Sequence, residues 1–416
     1  MSIVIKCGTL INGTGATPVK NAVVLIKEGK VEYAGPACGC TQCCGAGQGA
    51  AQADEVYDLS GFTVLPGLID AHVHLSGSRS SGAADGLITP HDLFVIRAAE
   101  DAKKILMSGF TTTRCCGSSI SPSVKRAVEE GTITGPTIIV CGRGISQTAG
   151  HGDIHYIPLE WSKQLGHGRI ADGPDECRRA VREQLRDGVD FIKVMVSGGS
   201  GSEKDDPRHR QYSIPELEAI VDEAHAAGRK VAAHAHGKVG VDNSVKVGID
   251  TIEHGTYIDD ESVQMMKDAG TFLIPTLSSV YRNITYGPQT GITEWRLRKS
   301  RMGFEYRKAA FKRALAAGLK IAAGTDNLGS PMRPHGISAQ ELELMVEYGM
   351  TPMQAIVAAT RTAAEACDVA DRLGTLEKGM AADVIAVAGD PLENISVLHD
   401  VRFIMRHGKT VLNKVK

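Results

Sequence analysis

The sequence predicts an α/β protein: a (β/α)8 barrel of the TIM type, with a small β-sandwich built from both chain ends. Two observations predict it. From Pro66 onward, eight short apolar runs alternate with amphipathic stretches that stop at glycine. The chain also begins and ends in strand-like segments, which most simply join into one small sheet domain. At 416 residues there is room for a large barrel and a smaller attachment.

Taken in order, SIVIK, AVVLIKEGKVEYAG and EVYDLS read as strands of the first 62 residues, with KEGK as a hairpin turn. The barrel strands are LIDAHV, FTTTRC, TIIVC, FIKVMV, VAAHA, TIEH, TFLIPT and KIAAGT. Between them, FVIRAAEDAKKILMSG, DECRRAVREQLRDG, IPELEAIVDEAHAAG and FEYRKAAFKRALAAG space their apolar residues by three or four, as helices do. After Thr351 one helix, PMQAIVAATRTAAEACD, leads to the strands ADVIAVAG and VRFIMRHGKTVLN. The expected domains are 1–62 with 368–416 as the sandwich and 63–367 as the barrel.

Apolar residues make up 42% and charged residues 23%, and the net charge is −2. That balance speaks against nucleic acid or an anionic membrane as partner. The opening MSIVIKCGTLINGTG lacks the basic and long apolar regions of a secretory signal, and no apolar run nears the roughly 18 residues of a spanning helix. The expected location is the cytoplasm. Of ten cysteines, Cys7, Cys115, Cys116, Cys141, Cys177 and Cys367 read as buried thiols. Cys38, Cys40, Cys43 and Cys44 crowd a Gly-rich insertion, PACGCTQCCGAGQG, that is either a loop or a small thiolate site.

Catalytic groups of a β/α barrel lie at the C-terminal ends of its strands. His72 and His74 end the first such strand and face the same way, because side chains alternate. Lys193 sits inside FIKVMV, where an unpaired ammonium is costly; carbamylation by carbon dioxide would turn it into an oxygen ligand. His234, His254 and Asp326 close the fifth, sixth and eighth runs. Singly, each has a bland explanation, such as a polar strand end or a helix cap. Jointly, in consistent order, the six form a shell that can hold two divalent metals, the equipment of hydrolysis. Further cationic and aromatic residues lie in the loops: Arg208 and Arg210 after the fourth strand, Tyr281 after the seventh, Arg333 after the eighth. They suit a substrate with a carboxylate beside the scissile amide, although a charged loop is also an ordinary solvated surface.

The segment VLPGLIDAHVHL resembles the opening motif of the amidohydrolase superfamily, and the later strand ends match its binuclear subtype with a carbamylated lysine. The resemblance runs over nearly the whole chain, to GTLEKGMAADVIAVAGDP. GISQTAGHGD, TIEHG and PHGISAQELELMVEYGMTPMQAI resemble the imidazolonepropionase-related branch, which includes dipeptidases for Xaa-Pro and Xaa-Arg or Xaa-Lys and ochratoxinase-like enzymes. The resemblance implies that His72, His74 and Asp326 hold one metal and His234 with His254 the second, with carbamylated Lys193 bridging them. It implies Asp326 as proton shuttle, a metal-bridging hydroxide as nucleophile, and His151 as a charge-stabilising residue at the substrate. Zinc is the expected metal, with manganese, cobalt and iron as alternatives. The chain departs from the branch at Arg114-Cys115, where Arg-Asp is usual, and at His236, where the Xaa-Pro enzymes carry tyrosine. His236 joins His151, Arg208, Arg210, Tyr281 and Arg333 as the expected substrate-binding residues. The expected activity is hydrolysis of a dipeptide or N-acyl amino acid by a homo-oligomeric enzyme. The alternatives are cyclic-amide opening and a barrel that binds a metal or ligand without turnover.

Overall fold

A computed structural model describes residues 1–37, 53–80, 85–165 and 168–415. Cys38, Cys40, Cys43 and Cys44 lie outside the described residues. The chain divides into two compact units, Met1–Asp70 with Lys104–Thr112 and Gly336–Lys416, and Ala71–Lys103 with Thr113–His335.

The first unit is built on a seven-stranded sheet drawn from both ends of the chain. Its strands are β1 (Ser2–Leu10), β2 (Val19–Lys27), β3 (Lys30–Pro36), β4 (Glu55–Pro66), and, after the helical middle of the sequence, strands Val384–Ala388, Val401–Arg406 and Lys409–Asn413 (β14, β15 and β16). The order is β16-β15-β14-β4-β1-β2-β3. β1 and β4 run parallel, and the other pairs are antiparallel. Alternation sorts the side chains: Ile3, Ile5 and Cys7 join Val24, Ile26, Leu59, Val64 and Phe403 in one core, while Val4 packs with Val23 and Leu25 on the other face. The single helix expected after Thr351 is two, Pro352–Ala358 and Arg361–Ala366. The break falls at Thr360, whose hydroxyl donates to the Ile356 carbonyl at 2.7 Å and competes with the helical ladder.

The remaining strands lie mostly in the second unit. Between the sets above lie β5 (Leu68–Val73), β6 (Phe110–Cys115), β7 (Thr137–Val140), β8 (Gly144–Ser146), β9 (Gly168–Ile170), β10 (Ile192–Met195), β11 (Val231–Ala235), β12 (Thr251–His254) and β13 (Phe272–Ile274). β5, β6 and β7 form a three-stranded sheet, and β13-β12-β11-β10-β8-β9 a six-stranded one whose pairs are all parallel. Strands β5, β6, β11 and β12 are buried along their whole length, as parallel strands covered by helices should be. Helices follow, among them Ile214–Ala226 with a Ser213/Glu216 capping box and Asp260–Ala269 capped by Asp259.

Seven of the eight expected barrel runs form strands; KIAAGT makes only a bridge, Ile321 to Leu273, with a second just beyond it from Asn327 to Val73. Its backbone is nevertheless held on both sides, by Ala322 N to Leu273 O (3.0 Å) and by Ala71 N to Ala323 O (2.9 Å). Gly324 is the reason it fits so close to β5, since a Cβ there would stand 2.9 Å from His72 Cβ and 2.5 Å from Ile274. Strands β8 and β9, absent from the sequence reading, are each three residues long and too short to register as a period.

Candidate metal centre

Strand register brings the expected ligands to one end of the parallel strands. His234 is the penultimate residue of β11 and pairs across to Met195, and His254 ends β12 opposite Ala235. His72 lies in β5, His74 follows it, and Asp326 is fixed by its N–H donating to the His72 carbonyl at 2.7 Å. Among the described residues three groups of side chains bring metal-ligand atoms together: His72, His74 and Asp326; His234, His236 and His254; and His72, Cys116 and Glu253, of which the first two concern the expected ligands. The rings of His72 and His254 are 5.2 Å apart, so the two groups adjoin.

The hydrogen bonds settle which ring atoms face inward. His72 Nδ1 donates to Glu253 Oε2 at 2.5 Å and His74 Nδ1 donates to the Gly117 carbonyl at 2.9 Å, because each acceptor lacks a hydrogen. Their Nε2 lone pairs therefore point toward Asp326 Oδ1, at 3.8 and 3.2 Å. Three acceptors converge with no hydrogen between them, which a divalent cation satisfies. His234 Nε2 donates to the Gly198 carbonyl at 3.3 Å, which leaves Nδ1 as its lone pair. His236 differs: Arg307 Nη2 donates to its Nδ1 at 3.2 Å, so its hydrogen lies on Nε2. Among the described residues, His236 is thus set as a donor within the cluster, while His254, bonded through Nδ1 to Thr276 Oγ1 at 2.7 Å, keeps the option of a lone pair.

Lys193 is 1% exposed, and its Nζ has no hydrogen-bond partner among the described residues. A buried ammonium with no hydrogen-bond acceptor is costly even beside a charge such as Glu253, so this amine fits the modified, ligand-bearing form that the burial of FIKVMV suggested.

Burial and the Lys193 charge push the His72 imidazole down to about 4, against the pull of Glu253. Burial and neighbouring histidines put His234 and His254 well below the usual range, and burial with Arg307 does the same for His236. The rings are neutral, the state that binds metal. Burial alone would raise the Asp326 carboxyl, but Arg333 and the two histidines outweigh it and hold it well below the carboxylate range. Backbone strain marks the same place: His254, Thr276 and Asp326 have φ of 77°, 48° and 59°, each costing about 1–3 kcal/mol.

The expected substrate-side residues are scattered more widely. His151 stacks on His234, with ring centroids 4.1 Å apart. Arg333, 5% exposed, bonds Asp326 through Nη1 at 2.6 Å to Oδ2 and 3.0 Å to the carbonyl. The contacts of Arg208 and Arg210 are local: the first is exposed and paired to Asp206 at 2.7 Å, the second donates to the Tyr212 carbonyl. Tyr281 is half-buried on the helix Leu277–Thr285.

Sequence reasoning missed Glu253 and gave Arg114 no role. Glu253 is fully buried, receives Thr251 Oγ1 at 2.6 Å, and is ion-paired to Arg114 Nη2 at 2.7 Å. Arg114 Nε in turn donates to the Ala71 carbonyl at 2.6 Å. A glutamate inside the otherwise apolar TIEH and an arginine inside FTTTRC were the signals available.

The chain belongs to the amidohydrolase family, whose model matches residues 63–411. It is thus a hydrolase of amide bonds. It is 34% identical to the ochratoxinase of Aspergillus niger over 96% of this chain and 84% of that one. The crystal structure of that ochratoxinase matches with a TM-score of 0.90 at 32% identity, covering 99% of this chain and 96% of the other. A Xaa-Pro dipeptidase with methionine bound in its active site matches with a TM-score of 0.89 at 31% identity, covering 99% and 100%. The imidazolonepropionase of Geobacillus kaustophilus (strain HTA426) is 24% identical over 87% of this chain and 84% of its own.

Proposed function

We propose that this chain hydrolyses the amide bond of a dipeptide or N-acyl amino acid, using two divalent cations, zinc by the donor set, and a carbamylated Lys193. The observation that carries this reading is the convergence of His72, His74 and Asp326 lone pairs beside His234, His254 and the orphaned Lys193 amine. In this reading the two parallel sheets are arcs of one (β/α)8 barrel spanning 63–367, with KIAAGT as its eighth strand. In the same reading 1–62 and 368–416 form the end domain, and its one seven-stranded sheet would have to fold over on itself to make the expected sandwich. Buried free thiols at Cys115, Cys116 and Cys141 suit a cytoplasmic enzyme.

His72, His74 and Asp326 would hold one cation and His234 with His254 the other, with the Lys193 carbamate between them. When bound, the pair supplies Lewis acidity and lowers the pKa of water. The protein's own groups do the rest. Asp326, kept ionised by Arg333, takes the proton of the attacking water on its carboxylate and returns it to the leaving nitrogen. The Nε2–H of His236 and the ring of His151 supply hydrogen bonds to the substrate's oxygens. The name of the Xaa-Pro dipeptidase and the structure of a related prolidase (29% identical) with N-methylphosphonate-L-proline support a substrate with a free carboxylate beside the scissile bond. Arg333, bonded to Asp326, is the first candidate to receive it, with Arg208, Arg210 and Tyr281 as the others.

The test is a screen of zinc-loaded protein against dipeptides, N-acyl amino acids and cyclic amides, with metal content by elemental analysis. Turnover of linear substrates with about two metals per chain supports the reading. Activity confined to ring substrates would transfer it to the cyclic-amide alternative, and tight binding without turnover to a non-catalytic barrel.

A further inference from the structure

His151 is held from four directions. One ring face stacks on His234 at 4.1 Å and 14°. The ring also lies so close to Gly199 that a Cβ there would meet its Cε1 at 2.2 Å and its Nδ1 at 2.5 Å. Its backbone N–H donates to Gln211 Oε1 at 3.0 Å. Its Nδ1 lies 2.7 Å from Ser202 Oγ, and that hydroxyl donates its one hydrogen to Asp205 Oδ2 at 2.5 Å. The hydroxyl must then accept from the ring, so Nδ1 carries a hydrogen. Asp205 Oδ2 itself stands 3.5 Å from Nδ1. Nε2 has no partner among the described residues, and the side chain is 18% exposed.

Asp205 is in turn tied to a helix far along the chain. Lys299, on Glu294–Ala316, reaches the Asp205 carboxylate at 3.1 Å. The same ammonium donates to the carbonyls of Gly199 (3.2 Å), Ser202 (2.6 Å) and Asp205. Lysine and aspartate are both largely buried, at 10% and 6% exposure, so the pair is little screened by solvent. One ammonium thus closes the whole 199–205 loop around the imidazole. The arrangement is more than a surface ion pair needs, and it ends on a ring nitrogen without a partner among the described residues.

We infer that Asp205, anchored by Lys299, is a positioning residue that holds His151 in one ring plane and one tautomer, with Nε2 as the edge offered to the substrate. The inference rests on the reading of His151 as substrate-facing given above. Asp205 and Lys299 touch no reacting atom; they act through the histidine.

The experiment compares wild type, His151→Ala, Asp205→Asn, Lys299→Met and the double variant His151→Ala/Asp205→Asn, all zinc-loaded, on the best linear amide from the screen. Alongside, 15N-edited NMR of histidine-labelled protein reads the His151 tautomer without turnover. Asp205→Asn should lower kcat about 10–100-fold with KM nearly unchanged and zinc content intact. Added to His151→Ala it should cost nothing further, as expected of two residues acting as one unit. Wild type should show Nδ1–H alone, and Asp205→Asn a mixture of tautomers. Equal losses from Asp205→Asn in both backgrounds, or an unaltered tautomer, would overturn the inference. If Asp205→Asn does not fold, Ser202→Ala removes the link while keeping the Asp205–Lys299 pair, and the same readouts apply. Full activity in His151→Ala, or no linear turnover in wild type, would count against the proposed function instead, and the NMR result would still decide the clamp.

Discussion

Glu253 Oε2 lies 2.5 Å from His72 Nδ1, joining two residues 181 positions apart in a fully buried pair. The same carboxylate takes the Arg114 guanidinium at its other oxygen, 2.7 Å away. Burial pushes the Glu253 carboxyl upward, but Arg114, Lys193 and His72 together hold it below the usual range. The carboxylate orients a candidate ligand, His72, and neutralises a buried cation in one contact set.

Replacing Glu253 with alanine should therefore do two things. It strands the Arg114 charge, at a cost of about 3–5 kcal/mol, and it frees the His72 tautomer, weakening metal affinity about 10–100-fold. Chemical denaturation and competitive zinc titration measure the two effects separately. A variant with wild-type values in both would show that the pair has no such role.

Lys193→Ala should bind fewer metals per chain and lose amide hydrolysis, because it removes the proposed bridge and not only a charge. Elemental analysis and steady-state kinetics at saturating zinc and bicarbonate are the readouts. Full activity in this variant would remove the carbamate from the mechanism.

The metal-depleted protein should lose stability as pH falls below about 6.5. His72 is held down to about 4 in the fold, so between those values the unfolded chain binds a proton that the folded chain refuses. Above 6.5 the ring is neutral in both states and contributes no slope; on the way down to 4 it costs roughly 3 kcal/mol. His234, His236 and His254 are shifted in the same direction and add to the slope. Denaturant midpoints measured across pH 4–8 check the sign; zinc should raise the whole curve and leave this slope in place, because metal-bound rings refuse the proton too.

Gly324→Ala places a methyl 2.9 Å from His72 Cβ and 2.5 Å from Ile274. A loss of about 1–3 kcal/mol is expected from overpacking, with weakened metal binding as His72 shifts. A thermal melt and a zinc titration would decide it.

The candidate ligands His72, His74, His234, His254 and Asp326 were legible because they lie at or just past the ends of apolar runs, and the i, i+2 spacing of His72 and His74 survives in any strand. The alternation in residues 1–36 likewise foretold β1 to β3 and the turn at KEGK. What supports the ligands was not legible. The meaning of Glu253, Arg114, Asp205 and Lys299 lies in contacts 94 to 181 residues apart, and no local pattern encodes a partner at that distance. Nor could spacing tell that His236 faces inward as a donor, since Arg307, 71 positions away, decides which of its nitrogens carries the hydrogen. Thr360 broke an expected helix through one hydroxyl, a choice that apolar periodicity does not record.

The pairing of β4 with β14 has a consequence for biogenesis. β4 ends at Pro66, and its neighbour β14 begins at Val384. On a ribosome adding roughly 5–20 residues each second, one long edge of β4 waits on the order of 15–60 s for its mate. Throughout that interval the nascent N-terminal strands offer an open flank of amide and carbonyl groups to any passing chain. Yield in cells should therefore depend on translation speed and chaperone supply more than the finished fold would suggest.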